Sequence, residues 1–126
     1  FKIPDTVQSL VLHKDAREIS VNDLIFSIVT EPNLGPPLLR APEPAQLKKI
    51  IADLTPLFNQ FIGRCALVLP KGGRLVLAAP AWRETGGKTT HLTEHLHFSD
   101  FTKKRQLEYR RPDQFVARDI VVLEHS

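Results

Sequence analysis

Leu24-Ile25-Phe26-Ser27-Ile28-Val29-Thr30-Glu31-Pro32-Asn33-Leu34-Gly35-Pro36-Pro37 passes from an almost wholly apolar run straight into an acidic, proline-bound loop. The lack of polar alternation from Leu24 to Val29 predicts a strand covered on both faces, as in a parallel sheet lying between helices. In open α/β sheets, ligands bind beyond the carboxyl ends of such strands. Pro32, Pro36 and Pro37 fix the backbone there, and each withholds an N–H from any ladder or helix. Glu31 and Asn33 are therefore expected on a rigid loop at the ligand edge. A Pro-rich connector carrying one solvated acid is the competing reading of the same residues.

The chain around this stretch has 126 residues, enough for one domain with a real core but short for a complete doubly wound fold. No apolar run is long enough to cross a membrane and no signal-peptide pattern opens the chain, so a cytoplasmic location is the default expectation. The single cysteine, Cys65, excludes an intramolecular disulfide, and its place in an apolar helical pattern suggests a small buried hydrophobe. A formal net charge of +3 permits a nucleic-acid partner without requiring one. Methionine is absent throughout, including at position 1, which reads as a fragment, a processed product or a part of something longer.

Upstream, Val7 to His13 reads as a strand followed by an acidic loop, Lys14-Asp15-Ala16-Arg17-Glu18, and Val21 to Val29 reads as the second strand. Downstream, Pro44 suits the first turn of a helix. From there Leu47, Ile50, Ile51, Leu54, Leu57, Phe58, Phe61, Ile62, Cys65 and Ala66 recur at spacings of three and four. This predicts a helix from about Pro44 to Leu67, with a kink or break near Asp53 because Pro56 lies inside it. Pro70-Lys71-Gly72-Gly73 then turns the chain into a buried strand, Arg74 to Ala79, that ends at Pro80-Ala81-Trp82. Residues 83–90 read as a loop and His91 to Phe101 as a short helix. Leu107 to Arg110 and Phe115 to Glu124 read as two strands joined by Arg111-Pro112-Asp113-Gln114, whose proline and aspartate suit a tight reversal.

The order of these pieces resembles the C-terminal part of a class I S-adenosylmethionine-dependent methyltransferase, of the branch that methylates exocyclic amino groups of nucleobases. Among its subfamilies the chain looks most like the tRNA guanine-N2 methyltransferases and their bacterial relatives. Asp15-Ala16-Arg17 resembles the acidic loop that contacts the adenine of the cofactor. Thr30-Glu31-Pro32-Asn33-Leu34-Gly35 resembles the motif after the fourth strand. Leu69-Pro70-Lys71-Gly72-Gly73-Arg74-Leu75-Val76-Leu77 is similar to the turn into the fifth strand, and Tyr109 to Glu124 to the final hairpin. The resemblance implies an α/β fold with a Rossmann-like, mostly parallel sheet ending in an antiparallel hairpin, and residues 1–126 as the C-terminal portion of one catalytic domain.

It also implies S-adenosylmethionine as cofactor, held by Asp15, Ala16 and Glu31, and a nucleic-acid substrate, guanine in tRNA ahead of adenine in DNA. An aromatic amine is a poor nucleophile, because its lone pair is delocalised into the ring. An enzyme must hold acceptors against its N–H bonds and align nitrogen, methyl and sulfur. Glu31 and the Pro32 carbonyl would do this, with Asn33 helping to hold the base. Leu34, Gly35, Trp82, Arg110 and Arg111 would contact the substrate. The departures from the family pattern are Glu31 for a shorter residue, Asn33 for the second proline, and Leu34 for an aromatic whose stacking is worth roughly 1–3 kcal/mol. The glycine-rich loop after the family's first strand has no counterpart, since only fourteen residues precede Asp15. The N-terminal cofactor half is therefore missing, to be supplied in cis or by another chain.

Other readings remain beside this one. A non-catalytic α/β interaction module derived from the same fold would explain Asn33 and Leu34. His91-Leu92-Thr93-Glu94-His95 matches the His-x-x-Glu-His pattern of inverted zinc proteases, which needs a stable helix and a third ligand. No metal site is expected on the main reading, and a zinc hydrolase around His91 and His95 stands as a third alternative. Gly87-Lys88-Thr89 fails as a phosphate-binding loop, because Trp82 occupies the position of its first glycine. Lys103-Lys104-Arg105 and Arg110-Arg111 fit either an RNA backbone contact or a solvated face.

Overall fold

The computed structural model describes residues 14–18 and 25–126, so the strand expected over Val7 to His13 and the start of that at Val21 lie outside the described residues. Strand β1 is Ser27–Thr30, helix α1 Pro44–Val68, β2 Arg74–Arg83, β3 Thr89–His91, β4 Phe101–Tyr109 and β5 Val116–His125. Short 3-10 turns occupy Ala16–Glu18 and Leu92–His95. The sheet runs in the order β1-β2-β5-β4, with β3 attached to β2. β1 pairs with β2 in parallel, and the other pairings are antiparallel.

Helix α1 forms where the three-and-four spacing predicts it and runs unbroken through Pro56. The expected break near Asp53 does not occur; the lost N–H is one bond, while Leu47, Ile50, Leu54, Phe58, Phe61, Ile62 and Cys65 are all buried along one face. Fully burying each of the larger of these contributes roughly 1.5–3 kcal/mol, which outweighs that bond several times over. They pack with Leu75, Leu77, Val121 and Leu123, which the strand register puts on one face of the sheet. The β1-α1-β2 crossover thus builds the core.

Between α1 and β2, Gly73 N–H donates to the Pro70 carbonyl at 2.9 Å while Gly72 takes φ +82°, so the Pro-Lys-Gly-Gly turn needs its third residue in the left-handed region. β2 continues beyond the expected end, through Pro80. Its parallel ladder with β1 stops at Leu77 and the one with β3 starts at Ala81, leaving Pro80 in the gap between them. Gly86-Gly87 closes a hairpin rather than an open loop, with Gly87 at φ +87°. In place of a helix over His91 to Phe101 there is one 3-10 turn. β4 begins at Phe101 and carries a bulge between Lys103 and Arg105. The Arg111-Pro112-Asp113-Gln114 reversal forms as expected, Gln114 N–H donating to the Arg111 carbonyl at 3.1 Å.

β1 departs most from expectation. It ends the strand order, and instead of being covered on both faces it leaves Val29 75% exposed and the adjacent Phe26 66% exposed. Only Ile25 and Ile28 pack partly against the core. No helix among the described residues is long and apolar enough to cross a membrane.

Candidate functional site

The loop after β1 separates two cavities. On one side Pro32 and Asn33 share a cavity of about 240 Å³ with Asp15, Ala16, Arg17, Leu57, Phe58 and Phe61. On the other side Leu34 and Gly35 line one of about 320 Å³ together with Asp113, Gln114, Phe115, Val116 and Arg118 of the β4-β5 turn and β5. The loop is shaped by its own side chains: Asn33 Oδ1 accepts the Gly35 N–H at 2.7 Å, and Gly35 sits at φ +83°. A Cβ at Gly35 would meet Ile50 and Leu54 at 3.4 Å, so the loop also lies close on α1.

Glu31, at the carboxyl end of β1, is bound by Arg118, whose Nε donates to Oε2 at 2.6 Å and whose Nη2 reaches Oε1 at 3.5 Å. Pairing of Pro80 with Arg118 and of Leu77 with Thr30 explains how β5 brings this guanidinium across β2 to the loop. Asp15 is held by its neighbour: Arg17 donates to it from Nε, Nη2 and the backbone, and this contact lowers the carboxyl pKa to about 2. A second tie, Arg17 to Gln60 at 3.3 Å, fastens the Asp15 turn to α1.

Glu31, Pro32, Asn33, Leu34 and Gly35 thus lie on one loop, with Asp15 and Ala16 beside Pro32 and Asn33. Three of the expected substrate residues, Trp82, Arg110 and Arg111, do not join them. Trp82 is fully buried in the core cluster rather than lining either cavity, because β2 runs past Pro80 and carries it inward. Arg110 turns back on Glu108, its Nε donating at 2.9 Å, and its terminal nitrogens are buried. Arg111 is exposed beside the turn.

Sequence reasoning missed Arg118, Gln114 and Phe115, since nothing in their spacing links them to residues eighty positions earlier; only the β2-β5 register does. It also missed the His91 and Asp119 pair. Asp119 is 1% exposed, and its Oδ2 shares a hydrogen bond with His91 Nδ1 at 2.5 Å. Burial pushes the Asp119 carboxyl up, against the pull of His91. Ligand atoms of His91, Glu108 and Asp119 lie within 4.8 Å of one another, yet Arg110 occupies Glu108 beside them. The zinc pattern is corrected here: His91 closes β3 and His95 ends a 3-10 turn, so the two are not one turn apart on a helix. Cys65 is fully buried, which raises its thiol to about 12 and leaves it no nucleophile.

No protein family and no curated protein matches the chain by sequence. Among solved structures it is similar to TrmN from Thermus thermophilus, with a TM-score of 0.58 and 22% identity over 91% of this chain. It is also similar to N-methyltransferase NodS from Bradyrhizobium japonicum WM9 in complex with S-adenosyl-L-homocysteine, with a TM-score of 0.49 and 13% identity over 88% of this chain. The chain spans 28% of the TrmN chain and 52% of the NodS chain. The chain has the α/β fold expected of it, that of the matched part of TrmN.

Proposed function

We propose that this chain is the acceptor-side part of an S-adenosylmethionine-dependent methyltransferase that modifies an exocyclic amino group of a nucleobase, guanine N2 in tRNA. The observation that carries this reading is the Glu31-to-Gly35 loop with a cavity on either side of it. Methyl transfer needs two compartments meeting at one set of acceptors, one for the donor and one for the base.

The residues of the smaller cavity suit an adenosine: an apolar wall of Leu57, Phe58 and Phe61, with Asp15 and the Pro32-Asn33 backbone at its rim. Asp15, Ala16 and Asn33 would hold the cofactor there, and the cofactor would supply an electrophilic methyl group. The larger cavity would take the base. Leu34 lacks the stacking ring of the family motif, and Phe115 on the opposite wall offers one instead. Glu31 and the Pro32 carbonyl would accept the amine N–H bonds, sharpening the nitrogen lone pair, and a Glu31 oxygen would take the proton released. Arg118, which lines the larger cavity, holds that carboxylate in place through a charge-assisted hydrogen bond.

The same pairing favours a second reading. With Glu31 neutralised by Arg118 and Leu34 unable to stack, a non-catalytic module on this fold would look much the same. Calorimetric titration of S-adenosylhomocysteine decides between them, performed on this chain alone and on the chain joined to an N-terminal cofactor half. Uptake only by the joined protein, with Glu31→Gln slowing methyl transfer about a hundredfold or more, supports the enzyme. Uptake by neither supports the module. A soluble, cytoplasmic protein working on tRNA is part of the same proposal.

A further inference from the structure

The outer strand of the sheet, β4, carries features that neither the core nor the two cavities use. Tyr109 is 52% exposed and Leu107 45% exposed, two large side chains left in water at alternate positions of a strand otherwise rich in charge. The register pairs Arg105 with Val122, Leu107 with Ile120 and Tyr109 with Arg118, so all three face the same side of the sheet as Arg118. Arg118 lines the larger cavity and holds Glu31. Tyr109 therefore stands next to the rim of the proposed base cavity, and the strip leads away from it.

The charges along the strip differ in kind. Lys104 is within 3.8 Å of Glu124, and Arg110 is tied to Glu108. Arg105 and Arg111 are exposed and have no ion pair among the described residues. Cations on an edge strand commonly guard against edge-to-edge pairing, but that duty does not call for an exposed aromatic ring between them. A ring flanked by free guanidinium groups has the chemistry of a single-stranded nucleic-acid platform, where bases stack and phosphates meet cations.

We propose that β4 binds the single-stranded RNA flanking the target nucleotide, with Tyr109 stacking on a neighbouring base and Arg105 and Arg111 contacting phosphates. This rests on the methyltransferase reading for its substrate, and it replaces Arg110 as the basic contact. The test is fluorescence anisotropy of a labelled single-stranded RNA, with duplex RNA and a polyglutamate peptide as alternative ligands. Tyr109→Ala should weaken single-stranded RNA binding about 10-fold to 100-fold while Tyr109→Phe retains it. Arg105→Gln and Arg111→Gln should each reduce the slope of log affinity against log salt by roughly 0.7. Equal binding by Tyr109→Ala, equal preference for duplex RNA, or equal binding of polyglutamate overturns the strip. The same preparations are titrated with S-adenosylhomocysteine after joining to a cofactor half. Tyr109-dependent RNA binding without cofactor uptake keeps the strip and sinks the methyltransferase, and cofactor uptake with RNA binding indifferent to Tyr109 does the reverse.

Discussion

Alternate residues of the same strands build two faces of unequal burial. On the face under α1, Leu75, Leu77, Val121 and Leu123 are fully buried. On the other, Val76, Ile120 and Val122 are half-buried and Val29 is 75% exposed. Apolar side chains thus occur on both faces, while α1 covers one. An unalternating run such as Leu24 to Val29 reports how much surface a strand is able to bury; it does not say which element buries it. Truncation should expose this difference most strongly. Leu77→Ala is expected to cost roughly 2–5 kcal/mol in urea unfolding, because α1 and the neighbouring strands leave a cavity there. Val122→Ala, next to Leu123 but on the open face, should cost well under half as much. Equal losses would mean that the two faces are packed alike and that the contrast is false.

A smaller effect concerns charge on the covered face. Asp119 is the buried ionisable side chain there among the described residues, and desolvation raises its pKa despite the His91 hydrogen bond. The fold consequently favours its protonated form. The stability this contributes is fully present below the unfolded value of about 3.9 and is lost as pH rises through the higher folded value. Asp119→Asn removes the titration. The stability of the wild type relative to Asp119→Asn should therefore fall as pH is raised from below 3.9 towards neutrality. A difference that is flat, or that grows with pH, would show that His91 holds the carboxylate strongly enough to reverse the desolvation.

Legibility in the sequence followed the range of the interaction that decides each element. Helix α1 and the Pro70-to-Gly73 and Arg111-to-Gln114 turns are set by local spacing and turn chemistry, and they form where expected. The Glu31-to-Gly35 loop was legible for the same reason: proline, Asx and glycine geometry act over a few residues. β4 was only half legible, since Thr102 to Gln106 are polar on both faces of an edge strand and a bulge shifts their alternation. His91 to Phe101 was misread because Leu92 and Leu96 stand at a helical spacing, yet they reach the core from one 3-10 turn and the extended residue after it. The far wall of the larger cavity was not legible at all. Arg118 and Phe115 reach the loop through two strand pairings, and no local pattern encodes a register.

The smallest predicted effect bears on what the open face is for. Val122→Thr keeps the shape of the side chain and replaces a methyl with a hydroxyl. On a half-buried face, water satisfies that hydroxyl, so the expected change is within about 0.5 kcal/mol. Were the face closed, the hydroxyl would be buried without a partner and the loss would rise to roughly 1–3 kcal/mol. The measurement is urea unfolding of wild type and Val122→Thr, first for this chain and then for the chain joined to an N-terminal half. A negligible loss in the first and a clear loss in the second would mean that the apolar surface of β2 and β5 is a docking face, covered only when such a half is joined to it. A clear loss in the first would mean the face is already covered, and the difference between the two sides of the sheet would be one of degree.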